Sequence, residues 1–257
     1  MKKPTSILIT GASSGIGSAL AHHYAEPGTT LFLSGRNAIR LAEIEDTCTA
    51  AGASVHARVI DVCDDLAMTI WIHECDHACP LELVIANAGV GLGNEDGTNL
   101  HDVAVRTFDA NANGVFNTIH PAMDCRKKRG AGQLAIVSSI AAFQGLAGSP
   151  AYSASKAAVR TYGEALRGLL RPDGISVSVI SPGYVRSRIT DRNDYRMPFF
   201  MEADRAARII ARGLAKGKGR VTFPWQMVIV ARILTNLPMW LLDLVNKPLG
   251  TKRSEED

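Results

Sequence analysis

Along the chain, short runs of β-branched and aliphatic residues alternate with longer stretches whose apolar positions recur at helical spacing. The short runs predict strands at 5–10, 30–34, 54–60, 81–86, 132–138, 175–180 and 220–223. Helical spacing covers, among other stretches, 39–51, 100–129 and 151–170. Several predicted strands are apolar almost throughout, as in Ser6-Ile-Leu-Ile, Leu83-Val-Ile-Ala and Val177-Ser-Val-Ile. Such strands need cover on both faces, the condition of a parallel sheet held between helix layers. The strand–helix unit repeats about six times, which predicts a doubly wound α/β fold. Pro27-Gly28 and Pro172-Asp-Gly174 supply stops for the first helix and for the helix beginning near Ala151. With no linker, repeat or low-complexity segment, residues 1–223 are expected to form one domain. Residues 224–257 form an apolar extension of it.

Composition narrows the class more than the activity. Apolar residues make up 46% of the chain and charged residues 21%, which is a globular balance. Lys and Arg outnumber Asp and Glu by 28 to 25, too small a surplus to predict nucleic-acid binding. No apolar signal core follows Met1-Lys-Lys-Pro-Thr5, so a cytoplasmic, reducing setting is the default for the five cysteines. No stretch reaches the roughly 18 apolar residues that span a bilayer.

Chemistry enters at the first strand's end, where Thr10-Gly-Ala-Ser-Ser-Gly-Ile-Gly17 opens a helix. Gly11 permits a tight turn, Gly15 lets backbone approach a pyrophosphate, and Gly17 lets the helix pack close to the strand. Ser13, Ser14 and Ile16 lie between them, where N–H groups at a helix start attract an anion. The alternative is a glycine turn with no ligand. Placed after the first strand of an α/β pattern, the loop predicts a Rossmann-type sheet of about seven parallel strands with helices on both faces.

The second strand's end distinguishes one dinucleotide from another. An acid there binds a ribose 2′-hydroxyl, whereas Leu31-Phe-Leu-Ser-Gly-Arg36-Asn37 has none. Gly35 leaves room, Arg36 suits a 2′-phosphate, and Asn37 adds hydrogen-bonding capacity, so the expected cofactor is NADP(H) rather than NAD.

Further on stands Tyr152-Ser-Ala-Ser-Lys156. Residues at i and i+4 share a helix face, which brings a phenol and an ammonium together. A nearby cation lowers a phenol's pKa and makes it a usable acid–base group. Upstream, Ser138-Ser139 closes a strand whose end opens onto the ligand crevice.

Together these residues resemble the short-chain dehydrogenase/reductase family, in its single-domain branch, from about Thr5 to Ser187. The matching motifs are the glycine loop, Asp61-Val62, Asn87-Ala88-Gly89, Asn111, Ser138-Ser139, Tyr152 with Lys156, and Ser181-Pro182-Gly183. The resemblance implies hydride transfer between a nicotinamide and a carbonyl or alcohol. It makes Tyr152 the general acid–base group, with Lys156 lowering its pKa and binding the nicotinamide ribose. Ser139 rather than Ser138 would polarise the carbonyl, and Asn111 would hold a relay water. Asp61 and Val62 would meet the adenine, and Asn87, Ala88 and Gly89 would support the cofactor. After Pro182-Gly183, Val185 and Ser187 would bind the carboxamide, Ser187 replacing the family's threonine.

Substrate identity is expected to lie in 184–204, where Arg186, Arg188, Arg192 and Arg196 flank Met197-Pro-Phe-Phe-Met201. These arginines are expected to sit in water or pair with Asp191 and Asp194. Beyond Phe223, two apolar helix-like pieces precede a polar end. A pocket cap or subunit interface is expected of them ahead of contact with a membrane surface, since no dense basic cluster flanks them. The expected partners are a small carbonyl or alcohol substrate and further copies of the chain, in a homodimer or homotetramer. His73-Glu-Cys-Asp-His77-Ala-Cys79 places its histidines and cysteines on different helix faces, so no metal site is expected there.

Overall fold

The computed structural model of the protein describes residues 3–92, 99–191 and 196–245. Arg192, Asp194 and the tail from 246 lie outside the described residues. In chain order the elements are β1 (Ser6–Thr10), α1 (Gly15–Tyr24), β2 (Thr30–Gly35), α2 (Ala38–Ala50), β3 (Ser54–Val59), α3 (Asp65–Ala78), β4 (Leu83–Ala86) and α4 (Leu100–Phe108). A π-helical turn (Asp109–Asn113), α5 (Gly114–Lys127), β5 (Gly132–Val137), a 3-10 turn (Ile140–Ala142) and α6 (Pro150–Leu169) follow. Then come β6 (Ile175–Pro182), α7 (Arg188–Asp191), α8 (Ala203–Ala215), β7 (Arg220–Phe223), α9 (Trp225–Thr235) and α10 (Met239–Val245).

The strands form one parallel sheet in the order β3-β2-β1-β4-β5-β6-β7. Side chains alternate across each strand, so β1 sends Ile7 and Ile9 into one core and Leu8 into the other. The first core also takes in residues of α1, α2 and α8, and the second residues of α3, α5 and α6. Ile7, Leu8 and Ile9 are fully buried, and burial of each such side chain stabilises the fold by about 1.5–3 kcal/mol. Chain order reverses direction between β1 and β4, and the carboxyl ends of the strands there open the crevice where ligands bind in doubly wound sheets.

The predicted strands agree with the observed ones to within two residues at each end. The predicted helix over 100–129 is corrected: it is α4, the π-turn and α5. At the break Asn111 turns inward, fully buried, with hydrogen bonds to Val90. Gly114 follows immediately, where a Cβ would stand 2.6 Å from Val62 Cγ2. A π-turn adds one residue to a helical turn, and such turns are frequent at functional sites.

The extension forms α9 and α10. Gly183 lies under α9, where a Cβ would stand 2.6 Å from Met227 Sδ and 3.5 Å from Ile140 Cδ1. Thr235 Oγ1 donates to Phe143 O at 2.8 Å. Away from the sheet, Trp225, Ile229, Ile233, Met239 and Trp240 are exposed. Among the described residues, no helix is long and apolar enough to cross a membrane.

Candidate active site

The floor of the crevice is tied together by Thr10 and Asn87. Thr10 Oγ1 accepts from the N–H groups of Asn87 (3.1 Å) and Ala88 (3.2 Å). Asn87 Nδ2 donates to Thr10 O (3.0 Å) and Gly11 O (3.3 Å). These bonds lock the ends of β1 and β4 at the switch point. Gly11 and Gly15 have φ of +67° and +57°, a region that side chains disfavour. A Cβ on Gly17 would strike Gly11 O, so only glycine lets α1 start this close to the loop. Ser14 occupies the N-cap position without capping through its side chain. Ser13, Ser14 and Ile16 line the cavity above.

At the β2–α2 junction, Arg36 and Asp61 are both exposed and their charges lie 3.8 Å apart. Asn37 caps α2, its Oδ1 accepting from Arg40 N at 3.0 Å. Its side chain therefore has less left for a ligand than the sequence suggests. Asp61 Oδ1 accepts from Cys63 N, and Val62 is buried beneath Gly114. Arg40 and Arg188 also line the cavity, and sequence reasoning gave neither a ligand role. Arg40 stands one helical turn after Arg36, a spacing that was available as a signal. Arg188 is brought in only by folding.

Under the other end, the two serines after β5 divide their work. Ser138 Oγ donates to Lys156 O at 2.7 Å, which pins α6 to the sheet. Ser139 Oγ accepts from Ala141 N at 3.1 Å and hydrogen-bonds the Tyr152 side chain. Lys156 is buried, and its Nζ donates to Val137 O at 3.0 Å, within 6.0 Å of the Tyr152 ring centroid. Burial lowers the Lys156 pKa to about 8, which leaves the ammonium charged at neutral pH. Burial also pushes the Tyr152 phenol above its usual value, against the lowering effect of the Ser139 hydrogen bond. Tyr184 adds to the rise. At neutral pH the phenol is therefore protonated.

Asn111 is held on both sides of its amide. Its Oδ1 accepts from Val90 N (2.7 Å), while Nδ2 donates to Val90 O (3.0 Å) and Ser155 Oγ (3.1 Å). Gly89 sits between this amide and the lysine, where a Cβ would lie 2.7 Å from Asn111 Oδ1 and 3.2 Å from Lys156 Nζ.

The opposite wall comes from the segment after β6. Gly183 N donates to Phe223 O at 2.7 Å, and buried Val185 bridges to Met201. Ser187 packs over Gly15, and its N–H donates to Thr190 Oγ1 at 2.9 Å. Arg186 pairs with Glu202 at 2.9 Å, not with Asp191, because the bridge to Met201 turns it toward the start of α8. The resulting cavity, of about 750 Å³, is lined by all the predicted site residues except Gly15, Gly17 and Asn111, which shape it from behind. The residues of 73–79 turn to structural tasks: His73 Nδ1 lies 3.3 Å from Cys125 Sγ, and Asp76 binds Arg129.

The sequence model of the short chain dehydrogenase family matches residues 5–197. An uncharacterized oxidoreductase of Myxococcus xanthus (strain DK1622) is 40% identical over 244 residues, covering 94% of this chain and 96% of that protein. Two solved structures have the same architecture. A short chain dehydrogenase/reductase from Burkholderia phymatum in complex with NAD superposes with a TM-score of 0.82 at 23% identity, covering 99% of this chain and 100% of that one. A short-chain dehydrogenase from Sphingobium yanoikuyae in complex with NADPH superposes with a TM-score of 0.78 at 24% identity, covering 91% and 96%. With the family matched across three quarters of its length and a relative aligned nearly end to end, the chain belongs to the short chain dehydrogenase family and is an oxidoreductase of that type.

Proposed function

We propose that the protein is an NADP(H)-dependent oxidoreductase interconverting a carbonyl and an alcohol, with Tyr152 as general acid–base. The carrying observation is the Tyr152–Ser139 hydrogen bond, beside the buried ammonium of Lys156, in the same cavity as the glycine loop. The cradle suits a dinucleotide: Gly11, Gly15 and Gly17 remove the Cβ atoms that would block backbone approach, and the N–H groups opening α1 favour an anion. Arg36, with no acid at the end of β2, supports the phosphorylated form. The Burkholderia and Sphingobium proteins carry NAD and NADPH respectively, so the shared fold does not choose between the two.

When bound, a nicotinamide dinucleotide supplies or accepts the hydride. The chain's residues manage the oxygen of the substrate. Ser139 Oγ and the Tyr152 phenol, already joined to each other, form a two-point seat for a carbonyl oxygen. A phenol that stays protonated at neutral pH is ready to donate as negative charge grows on that oxygen. The Lys156 ammonium beneath it offsets the charge left on the phenolate, and Val137 O fixes that ammonium in place. In the oxidising direction the same phenol must first lose its proton.

Oxidation of NADPH against a panel of aldehydes, ketones, quinones and acyl thioesters is the direct test. Tyr152→Phe is expected to lower turnover by about 100-fold or more while leaving NADPH affinity near wild type. Wild-type activity in that variant would overturn the mechanism. Arg36→Asp is expected to weaken NADPH by about 10–100-fold, from loss of charge-assisted bonds, with little change for NADH. An unchanged ratio of the two affinities would remove Arg36 from the 2′-phosphate.

A further inference from the structure

Four arginines from distant parts of the chain, Arg36, Arg40, Arg106 and Arg188, line the cavity. Arg36 and Arg40 flank the start of α2, whereas Arg188 opens α7 on the far wall. Arg36 has a loose acidic neighbour, Asp61, at 3.8 Å. Among the described residues, neither Arg40 nor Arg188 forms an ion pair with an acid. Two positions before Arg188, Arg186 turns away to Glu202.

Arg40 carries the burden of this arrangement. Its Nε is buried without a hydrogen-bond partner. Burial lowers its pKa, and the Arg188 charge lowers it further, which Glu43 only partly offsets. Two guanidiniums facing one cavity, one with a shielded and unbonded donor, disfavour each other in the absence of an anion. Phosphate relieves both costs, since guanidinium donors match its oxygens in pairs.

The segment bearing Arg188 is built to hold a fixed position. Thr190 Oγ1 donates to Val185 O (2.9 Å) and accepts from Ser187 N (2.9 Å). Ser187 itself rests on Gly15, where a Cβ would stand only 2.8 Å from Ser187 Cβ. The far wall therefore seats directly on the glycine loop, and Arg188 on that wall lines the same cavity as Arg40, near enough for its charge to act on it.

We propose that Arg40 and Arg188 close with Arg36 around the 2′-phosphate of the nucleotide. The wall that borders the substrate thereby takes part in choosing the cofactor. This inference rests on the NADP(H) reading above and extends it to two residues that the glycine-loop and β2 motifs do not include. The pyrophosphate is the competing phosphate in the same cavity, and the choice of probes separates the two.

The test is the affinity of full-length wild type, Arg40→Gln and Arg188→Gln for four probes: NADPH, NADH, adenosine 2′,5′-bisphosphate and ADP. Each variant is expected to lose about tenfold or more for NADPH and the bisphosphate, with less than about a twofold change for NADH and ADP. Wild-type affinity for NADH also certifies that each variant is folded. Equal losses for NADPH and NADH would place the guanidiniums on the pyrophosphate and overturn the proposal, as would no loss at all. A wild type that binds NADPH no more tightly than NADH would overturn the NADP(H) reading itself. A wild-type preference that survives in both variants would overturn only the roles of Arg40 and Arg188.

Discussion

Adjacent residues with the same side chain do different work at Ser138 and Ser139. Ser138 gives its hydroxyl proton to the backbone of Lys156, and Ser139 faces the phenol of Tyr152. Ser139→Ala is expected to cut turnover on the order of 100-fold with little change in melting temperature, since the hydroxyl lines the cavity and is missed chiefly where the substrate oxygen sits. Ser138→Ala is expected to cost about 1 kcal/mol of stability and much less activity. Thermal melts beside steady-state rates check the pair, and a reversed order would move the carbonyl seat to Ser138. Much of this was legible in the sequence. The i,i+4 spacing of Tyr152 and Lys156 places them on one face, and the family pattern selects Ser139. The rise in the Tyr152 pKa, where Lys156 was expected to lower it, was not legible, because burial depends on what packs around a side chain and not on its neighbours in sequence.

At the scale of elements, one ion pair joins α3 to the end of α5. Asp76 receives Arg129 Nη1 and Nη2 at 2.6 and 2.7 Å and also accepts from Leu81 N at 3.0 Å. Burial alone would raise the Asp76 pKa, but the Arg129 bonds and the Leu81 N–H outweigh it and hold the carboxyl below its usual value. A depressed folded-state pKa adds stability above the unfolded value of about 4 and loses it as pH falls through the folded value. Asp76→Asn is therefore expected to destabilise the protein by about 1–3 kcal/mol at neutral pH. The deficit should shrink below about pH 4; urea melts across that range measure it, and a deficit independent of pH would contradict the electrostatic account. Strands and their order of appearance follow from runs of aliphatic residues, and β5 at Gly132–Val137 lies within the predicted 132–138. The interruption between α4 and α5 did not follow. Apolar spacing continues through 100–129, and nothing local marks the point where Asn111 leaves the helix ladder for Val90.

For the whole molecule, the sheet order assembles the site. Glycine loop, β2 end, β4 end, β5 end, α6 and the segment after β6 are far apart in sequence, yet parallel strands with crossover helices deliver all of them to one edge. The extension beyond β7 adds α9 against Gly183 and the turn that holds Ser139, so this segment braces the Ser139 side of the cavity from behind. By itself, the sequence determined the fold class and pointed to the glycine cradle and the Tyr152–Lys156 pair, because each depends on local periodicity or on spacing within a single element, whereas Ser139 was singled out by the family pattern. Only the tertiary structure decided that Ser138 anchors α6, that Asn37 caps α2, that Arg186 turns to Glu202, and that Arg188 lines the same cavity as Arg40. Those outcomes depend on which surfaces meet after the sheet closes, and contacts between distant segments leave no period in the chain that makes them.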